Sequence, residues 1–284
     1  MKLQFTKMHG AGNDYVYINC FFKDVPSPEA LAITISDRHF GIGSDGLVLI
    51  CPSNIADAKM RMFNADGSES QMCGNAIRCV GKYLFENSMI QKQQLSIETL
   101  SGIKYLQLET VDNIVKSVTV NMGKAILEAK AIPVISNEEQ VISQPILVDG
   151  AEYKVTCVSM GNPHCVIFVD NADEINIEKI GPLFEFNEAF PQRINAEFVE
   201  LLNGNTIKMR VWERGSGETL ACGTGACASV VACVLNGKCK IGENIRVLLK
   251  GGELSIKYMQ DGTVYMTGDA TKVFDGEINI EGEL

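Results

Sequence analysis

The feature that most constrains this 284-residue chain is that it repeats itself. Cys73 and Cys222 stand 149 residues apart, and each opens a Cys-Gly-[Asn/Thr]-[Ala/Gly] run. In the same register, Glu69-Ser70 matches Glu218-Thr219, Arg61-Met62-Phe63 matches Arg210-Val211-Trp212, and Gly12-Asn13 matches Gly161-Asn162. Leu95-Ser96-Ile97 resembles Ile245-Arg246-Val247 at an offset of 150, so one residue has been inserted between. A period this long predicts two copies of one α+β unit, not an array of short repeats.

Each copy opens on strand-like alternation, Asp14–Ile18 and Cys165–Val169. An extended Met/Val-aromatic segment, a Gly-containing loop, a cysteine and a helix follow. Ile77, Val80, Tyr83 and Leu84 recur at helical spacing, which predicts a helix from Gly74 to Asn87. Gly223–Leu235 is apolar nearly all round, the pattern of a buried helix, and Asn236-Gly237 is its left-handed stop. Further strands are expected at Leu95–Glu98 and Lys104–Glu109, then at Ile245–Leu249 and Leu254–Tyr258. The expected fold is α/β (α+β): two pseudo-symmetric domains, each a curled mixed β-sheet around a central helix. They span 1–119 with 268–284, and 120–267, the tail after Gly268 folding back on the first.

A net charge of −10 with only 25 Lys and Arg argues against a nucleic-acid surface. No apolar run approaches the ~20 residues of a membrane span, and Met1–Gly12 has no apolar core of a secretory signal. Ten cysteines in such a chain read as reduced thiols of a cytoplasmic protein, most of them small core hydrophobes. No metal is expected. Cys222, Cys227, Cys233 and Cys239 lack the close pairing of zinc ligands, and His9, His39 and His164 sit in no metal spacing. Gly41-Ile42-Gly43-Ser44-Asp45-Gly46 spells GxGxxG, but the strand-like Leu47–Ile50 follows it where a dinucleotide site needs a helix.

Cys73 and Cys222 each sit just before a helix, where unpaired N–H groups and the positive dipole end lie. Two consequences are expected: a lowered thiol pKa, and a carboxylate site built without Lys or Arg. Such a pair suits racemisation. One thiolate takes the Cα proton, the opposite thiol returns one, and identical residues exchange roles with direction. Opposed helix ends would stabilise the carbanion beside its carboxylate. No lysine motif for a pyridoxal Schiff base is present, so no cofactor is expected.

These residues lie in motifs that run almost end to end: Met8-His9-Gly10-Ala11-Gly12-Asn13-Asp14, Phe63–Glu69, Met72–Cys79, Gly161-Asn162-Pro163-His164, Glu213–Thr219 and Ala221–Ala226. Together they resemble the diaminopimelate epimerase family. The resemblance implies a homodimer acting on a small molecule, LL- and meso-2,6-diaminopimelate, in lysine and peptidoglycan precursor synthesis. It implies Cys73 and Cys222 as the acid/base pair, with His164 and Glu213 setting their protonation. It places the reacting carboxylate at Gly74-Asn75 and Gly223-Thr224. Asn13, Asn64, Asn162, Asn195, Glu213 and Arg214 would hold the remaining substrate groups. One departure stands out: some members carry a substrate-contacting Gln where this chain has Gly46. Two rivals share features: a proline or hydroxyproline racemase on the same fold, and, from another class, a redox-sensing thiol protein.

Overall fold

The computed structural model describes residues 2–280, whose contacts gather into two compact units. One runs to Val120 and resumes at Thr267; the other is Asn121–Met266.

In the first unit, β1 (Lys2–Gly10) and β2 (Asn13–Asn19) form a hairpin. Next come α1 (Pro28–Ser36) and β3 (Gly46–Cys51), which is parallel to β2. β4 (Ala58–Asn64) is antiparallel to β3, and the short β5 (Glu69–Ser70) turns back on it. α2 (Gly74–Glu86) then leads to β6 (Gln94–Thr99), parallel to β4, and to β7 (Gly102–Val111) and β8 (Ile114–Lys124).

The second unit repeats the plan. β9 (Gln144–Val148), β10 (Ala151–Ser159) and β11 (Pro163–Val169) make an antiparallel meander. α3 (Ile177–Glu185) crosses to β12 (Asn195–Asn203), parallel to β11. β13 (Thr206–Glu213), β14 (Gly217–Glu218) and α4 (Gly223–Leu235) lead to β15 (Asn244–Leu249), parallel to β13. β16 (Gly252–Tyr258) and β17 (Thr263–Gly268) follow; β18 (Thr271–Asn279) belongs to the first unit, where it pairs antiparallel with β1. The last four residues of the expected tail, 281–284, lie outside the described residues.

The repeat extends to strand register. Val16 pairs with Leu47 and Phe63 with Glu69; 149 residues later Cys165 pairs with Ala196 and Trp212 with Glu218. Ala58 opposite Ile97 recurs as Ile207 opposite Val247, with the inserted residue in between. Register carries the hydrophobic alternation, so a duplication that kept its core had to keep its register.

Both central helices form where the periodicity placed them. α4 packs against β10 to β13 and β16, and ten of its residues from Gly223 to Cys233 are buried, which its lack of a polar face demands. Gly237 takes the left-handed conformation after α4 (φ 68°), and Ser88 takes it at the equivalent place after α2 (φ 57°). A residue with a Cβ pays about 1 kcal/mol there. Ser88→Gly is therefore expected to stabilise the protein by roughly 1 kcal/mol, read as a raised urea midpoint at unchanged m-value. An unchanged midpoint would mean that Ser88 relieves the strain by a contact of its own.

α1 and α3 carry no clear signal in the sequence. α3 holds Gly181-Pro182 in its interior, the pair that normally marks a break. The glycine is there for space: a Cβ at Gly181 would lie 2.4 Å from the Trp212 ring. Phe184 beside it packs edge-on against Tyr153 and Phe198, which seats α3 on its sheet.

Candidate active site

In the first unit, Cys73 is the residue before α2, with extended backbone (φ −132°, ψ 123°) and a partly exposed thiol. Its Sγ lies 3.4 Å from Asn13 Oδ1, and Asn75 Nδ2 donates to the same oxygen at 3.3 Å. The Asn13 amide is oriented from its other side, where Nδ2 donates to Asp45 Oδ2 at 2.7 Å. A carboxylate only accepts, so the nitrogen faces Asp45 and the oxygen faces Cys73. Asp14 anchors this edge through Lys7 at 2.6 Å and Arg38 at 2.9 Å. Burial works against the Asp14 charge, yet hydrogen bonds from Arg38 and Lys7 hold its carboxyl below the usual range. Arg78, fully buried in α2, ties the helix down through Gly74 O (3.1 Å) and Asp269 O (2.9 Å). Asn64 closes its own turn, with Nδ2 on Ser68 Oγ at 3.0 Å.

Gly46 lies where β3 and β4 approach closely. A Cβ on this backbone would stand 2.0 Å from Phe63 O and 3.0 Å from the Tyr15 ring. β3 and β4 are too close at this point for any side chain.

In the second unit, Cys222 precedes α4 in the same extended conformation (φ −113°, ψ 108°) but is only 5% exposed. Gly225 N–H donates to its Sγ at 3.3 Å, and Thr224 Oγ1 lies 3.5 Å away. Glu213 leaves β13 beside it, partly buried, and accepts from Thr219 Oγ1. His164 in β11 is wholly buried: Nδ1 sits 2.6 Å from Glu197 Oε1, and Nε2 sits 3.0 Å from Asn162 Oδ1. Asn195 is spent on bracing, since Nδ2 donates to Pro163 O at 2.7 Å and Oδ1 accepts Arg214 N–H at 2.9 Å. The Arg214 guanidinium is exposed and touches Gln192 O at 2.9 Å. Glu185, at the end of α3, fixes this turn by accepting Trp212 Nε1–H (2.8 Å) and Gly215 N–H (3.0 Å).

The structure overturns the lowered thiol pKa for Cys222. The two donors at the helix start do favour its thiolate, but burial, followed by the carboxylates of Glu213 and Glu197, pushes the thiol well above its ordinary value. Desolvation and nearby like charge outweigh the helix end. Burial likewise pushes up both Glu213 and Glu197. Burial and the neighbouring carboxylates thus favour the thiol form of Cys222.

Sequence reasoning missed Glu197, which lies in β12 and is 0% exposed. A signal existed. The residue 149 positions earlier is Val48, in a strand that is apolar throughout, so the second copy alone places a charge at this core position. Glu197, His164 and Cys222 bring an oxygen, a nitrogen and a sulfur within 4.8 Å of one another. The 2.6 Å oxygen–nitrogen contact is a hydrogen bond, shorter than the about 3.3 Å between two ligands on one zinc.

Comparison with known proteins agrees with these motifs. The family model for diaminopimelate epimerase matches residues 5–128 and 156–273. A diaminopimelate epimerase of Acetivibrio thermocellus is 57% identical over 98% of this chain and 99% of its own length. One of Methanococcus maripaludis is 55% identical over 98% and 100%. Among solved structures, a hydroxyproline epimerase from Agrobacterium vitis with bound trans-4-hydroxy-L-proline shares the fold at a TM-score of 0.71. It is 14% identical and covers 98% of this chain and 91% of its own. A Bacillus anthracis phenazine biosynthesis protein, 16% identical, does so at 0.71 over 99% of this chain and 100% of its own. With relatives more than half identical along nearly their whole length, and both cysteine motifs inside the matched segments, the chain belongs to the diaminopimelate epimerase family.

Proposed function

We propose that the protein interconverts LL- and meso-2,6-diaminopimelate without a cofactor, one unit supplying Cys73 and the other Cys222. The reading is carried by the matched placement of those two cysteines, each extended and immediately before a central helix, in a chain of this family. Inversion at Cα requires a base on one face and an acid on the other, so each unit contributes half of the chemistry. With the surroundings of Cys222 favouring its thiol, Cys73 takes the base's part in one direction, and the two exchange roles in the other. In the former the proton leaves Cα for Cys73, and Cys222 delivers its own proton to the opposite face.

In this reading the reacting carboxylate is held by the helix starts at Gly74-Asn75 and Gly223-Thr224, whose dipoles also stabilise the carbanion. Asn13, Asn64, Asn162 and Glu213 take the substrate's amino groups and proximal carboxylate. Arg214 forks the distal carboxylate, and Asn195 sets the Arg214 backbone. The family likeness also suggests a cytoplasmic homodimer. Among the described residues no helix is long and apolar enough to cross a membrane.

The test is turnover of LL-diaminopimelate in heavy water, with deuterium at Cα followed by mass spectrometry. One deuterium per inverted centre is expected, with no turnover of proline or hydroxyproline, which lack the distal carboxylate that Arg214 would bind. Comparable turnover of proline would transfer the assignment to a proline racemase.

A further inference from the structure

The two halves are alike in fold but not in what surrounds their cysteines. Stepping back 149 residues from His164, Glu197 and Glu213 gives Tyr15, Val48 and Asn64. Tyr15 and Val48 are buried, so the first unit places an aromatic and an aliphatic side chain where the second places an imidazole and a carboxylate. The strand registers agree, with Val16 on Leu47 and Cys165 on Ala196. The difference is therefore one of chemistry at equivalent sites.

Glu197 is boxed in on three sides. Its Oε1 lies 2.6 Å from His164 Nδ1. The same oxygen presses on the first turn of α4, where a Cβ at Gly225 would come within 2.8 Å of it and 3.3 Å of Cys222 Sγ. The sulfur, a ring nitrogen and a carboxylate oxygen share a space of 4.8 Å. Nδ1 faces an acceptor-only carboxylate and so carries a proton, while Nε2 is held by the Asn162 side-chain amide 3.0 Å away.

We propose that Glu197 is a positioning residue for the epimerisation. It acts through His164, holding the imidazole beside Cys222 in one orientation and with Nδ1 protonated, an arrangement that the Cys73 half lacks. The role rests on the epimerase reading above. A carboxylate that merely satisfied a buried histidine would matter for stability alone. A positioning carboxylate also governs which nitrogen carries the proton and how turnover varies with pH. The titratable groups around it are His164 and Cys165 of β11, Glu213 of β13 and Cys222 ahead of α4.

The experiment pairs a variant with a measurement on the unaltered protein. Glu197→Gln keeps the volume and one acceptor but removes the charge. kcat is expected to fall by on the order of tenfold to a hundredfold, KM to stay within about threefold, and the pH profile of kcat to shift, with Glu197→Asp recovering part of the loss. A folded Glu197→Gln protein with the original kcat and pH profile overturns the proposal. On the unaltered chain, ¹⁵N-histidine NMR reads the tautomer of His164, assigned among three histidines by His9→Gln and His39→Gln. Nδ1 protonated at pH 8 is expected, and Nδ1 bare at pH 8 overturns the proposal even if Glu197→Gln does not fold. The NMR reading needs no turnover, so a protein that fails to epimerise diaminopimelate but shows the fixed tautomer loses the reaction and keeps the His164–Glu197 pair.

Discussion

Replacing either Cys73 or Cys222 with alanine lowers epimerisation by at least on the order of 10³-fold, whereas Cys79→Ala leaves most of it. Positioned acid or base groups contribute about 10²–10⁴-fold each, and inversion cannot proceed through one alone. Cys79 is a fair control, because it lies one and a half turns into α2, fully buried, and its thiol is pushed up to about 11 by that burial. It belongs to the packing of the helix. The two active-site variants should also fail differently. Each keeps one thiol, so each can still exchange the Cα proton of a single diastereomer with solvent without inverting it. The two variants are expected to label opposite diastereomers in heavy water. Near-original turnover by Cys73→Ala or Cys222→Ala would remove the assigned roles. Labelling of the same diastereomer by both would show that the thiols do not attack opposite faces.

Much of this arrangement was legible in the sequence because duplication makes a chain its own reference. The matches from Gly12-Asn13 to Leu95–Ile97 foretold both central helices, and they reappear in the structure as equal strand registers. α4 needed no comparison, since thirteen residues without a polar face have only one place to go. α3 was hidden because Gly181-Pro182 serves a tight contact with Trp212 that a linear reading takes for a break. The Cys222 pKa was misread for a similar reason. Position before a helix is visible in sequence, but burial and the approach of Glu213 and Glu197 are facts of tertiary packing, and in this case they are the larger effects. Glu197 is visible in the internal comparison as a departure from the repeat, a charge where the first copy has Val48.

The same imbalance makes Glu213→Gln a variant with opposite effects on reactivity and turnover. Burial raises the Cys222 thiol first, and the Glu213 carboxylate adds the next largest push. The isosteric amide leaves the burial in place and removes one negative charge, so the thiolate becomes easier to form and the pKa falls. Opposing or like charges at contact shift a pKa by roughly one unit or more. Far below the pKa the thiolate fraction rises tenfold per pH unit, and only the thiolate reacts with iodoacetamide. In the parent protein, alkylation of Cys222 is therefore expected to climb about tenfold per unit between pH 7 and 9. In Glu213→Gln the same curve lies roughly one unit lower, about tenfold faster at pH 7.5, as read by mass spectrometry of the Cys222 peptide. Epimerisation should move the other way, down by on the order of 10²-fold. The carboxylate that would receive a substrate ammonium is gone. Faster alkylation with slower turnover is the signature of a carboxylate that keeps Cys222 protonated. Alkylation unchanged from the parent would show that Glu213 does not set the charge on that sulfur.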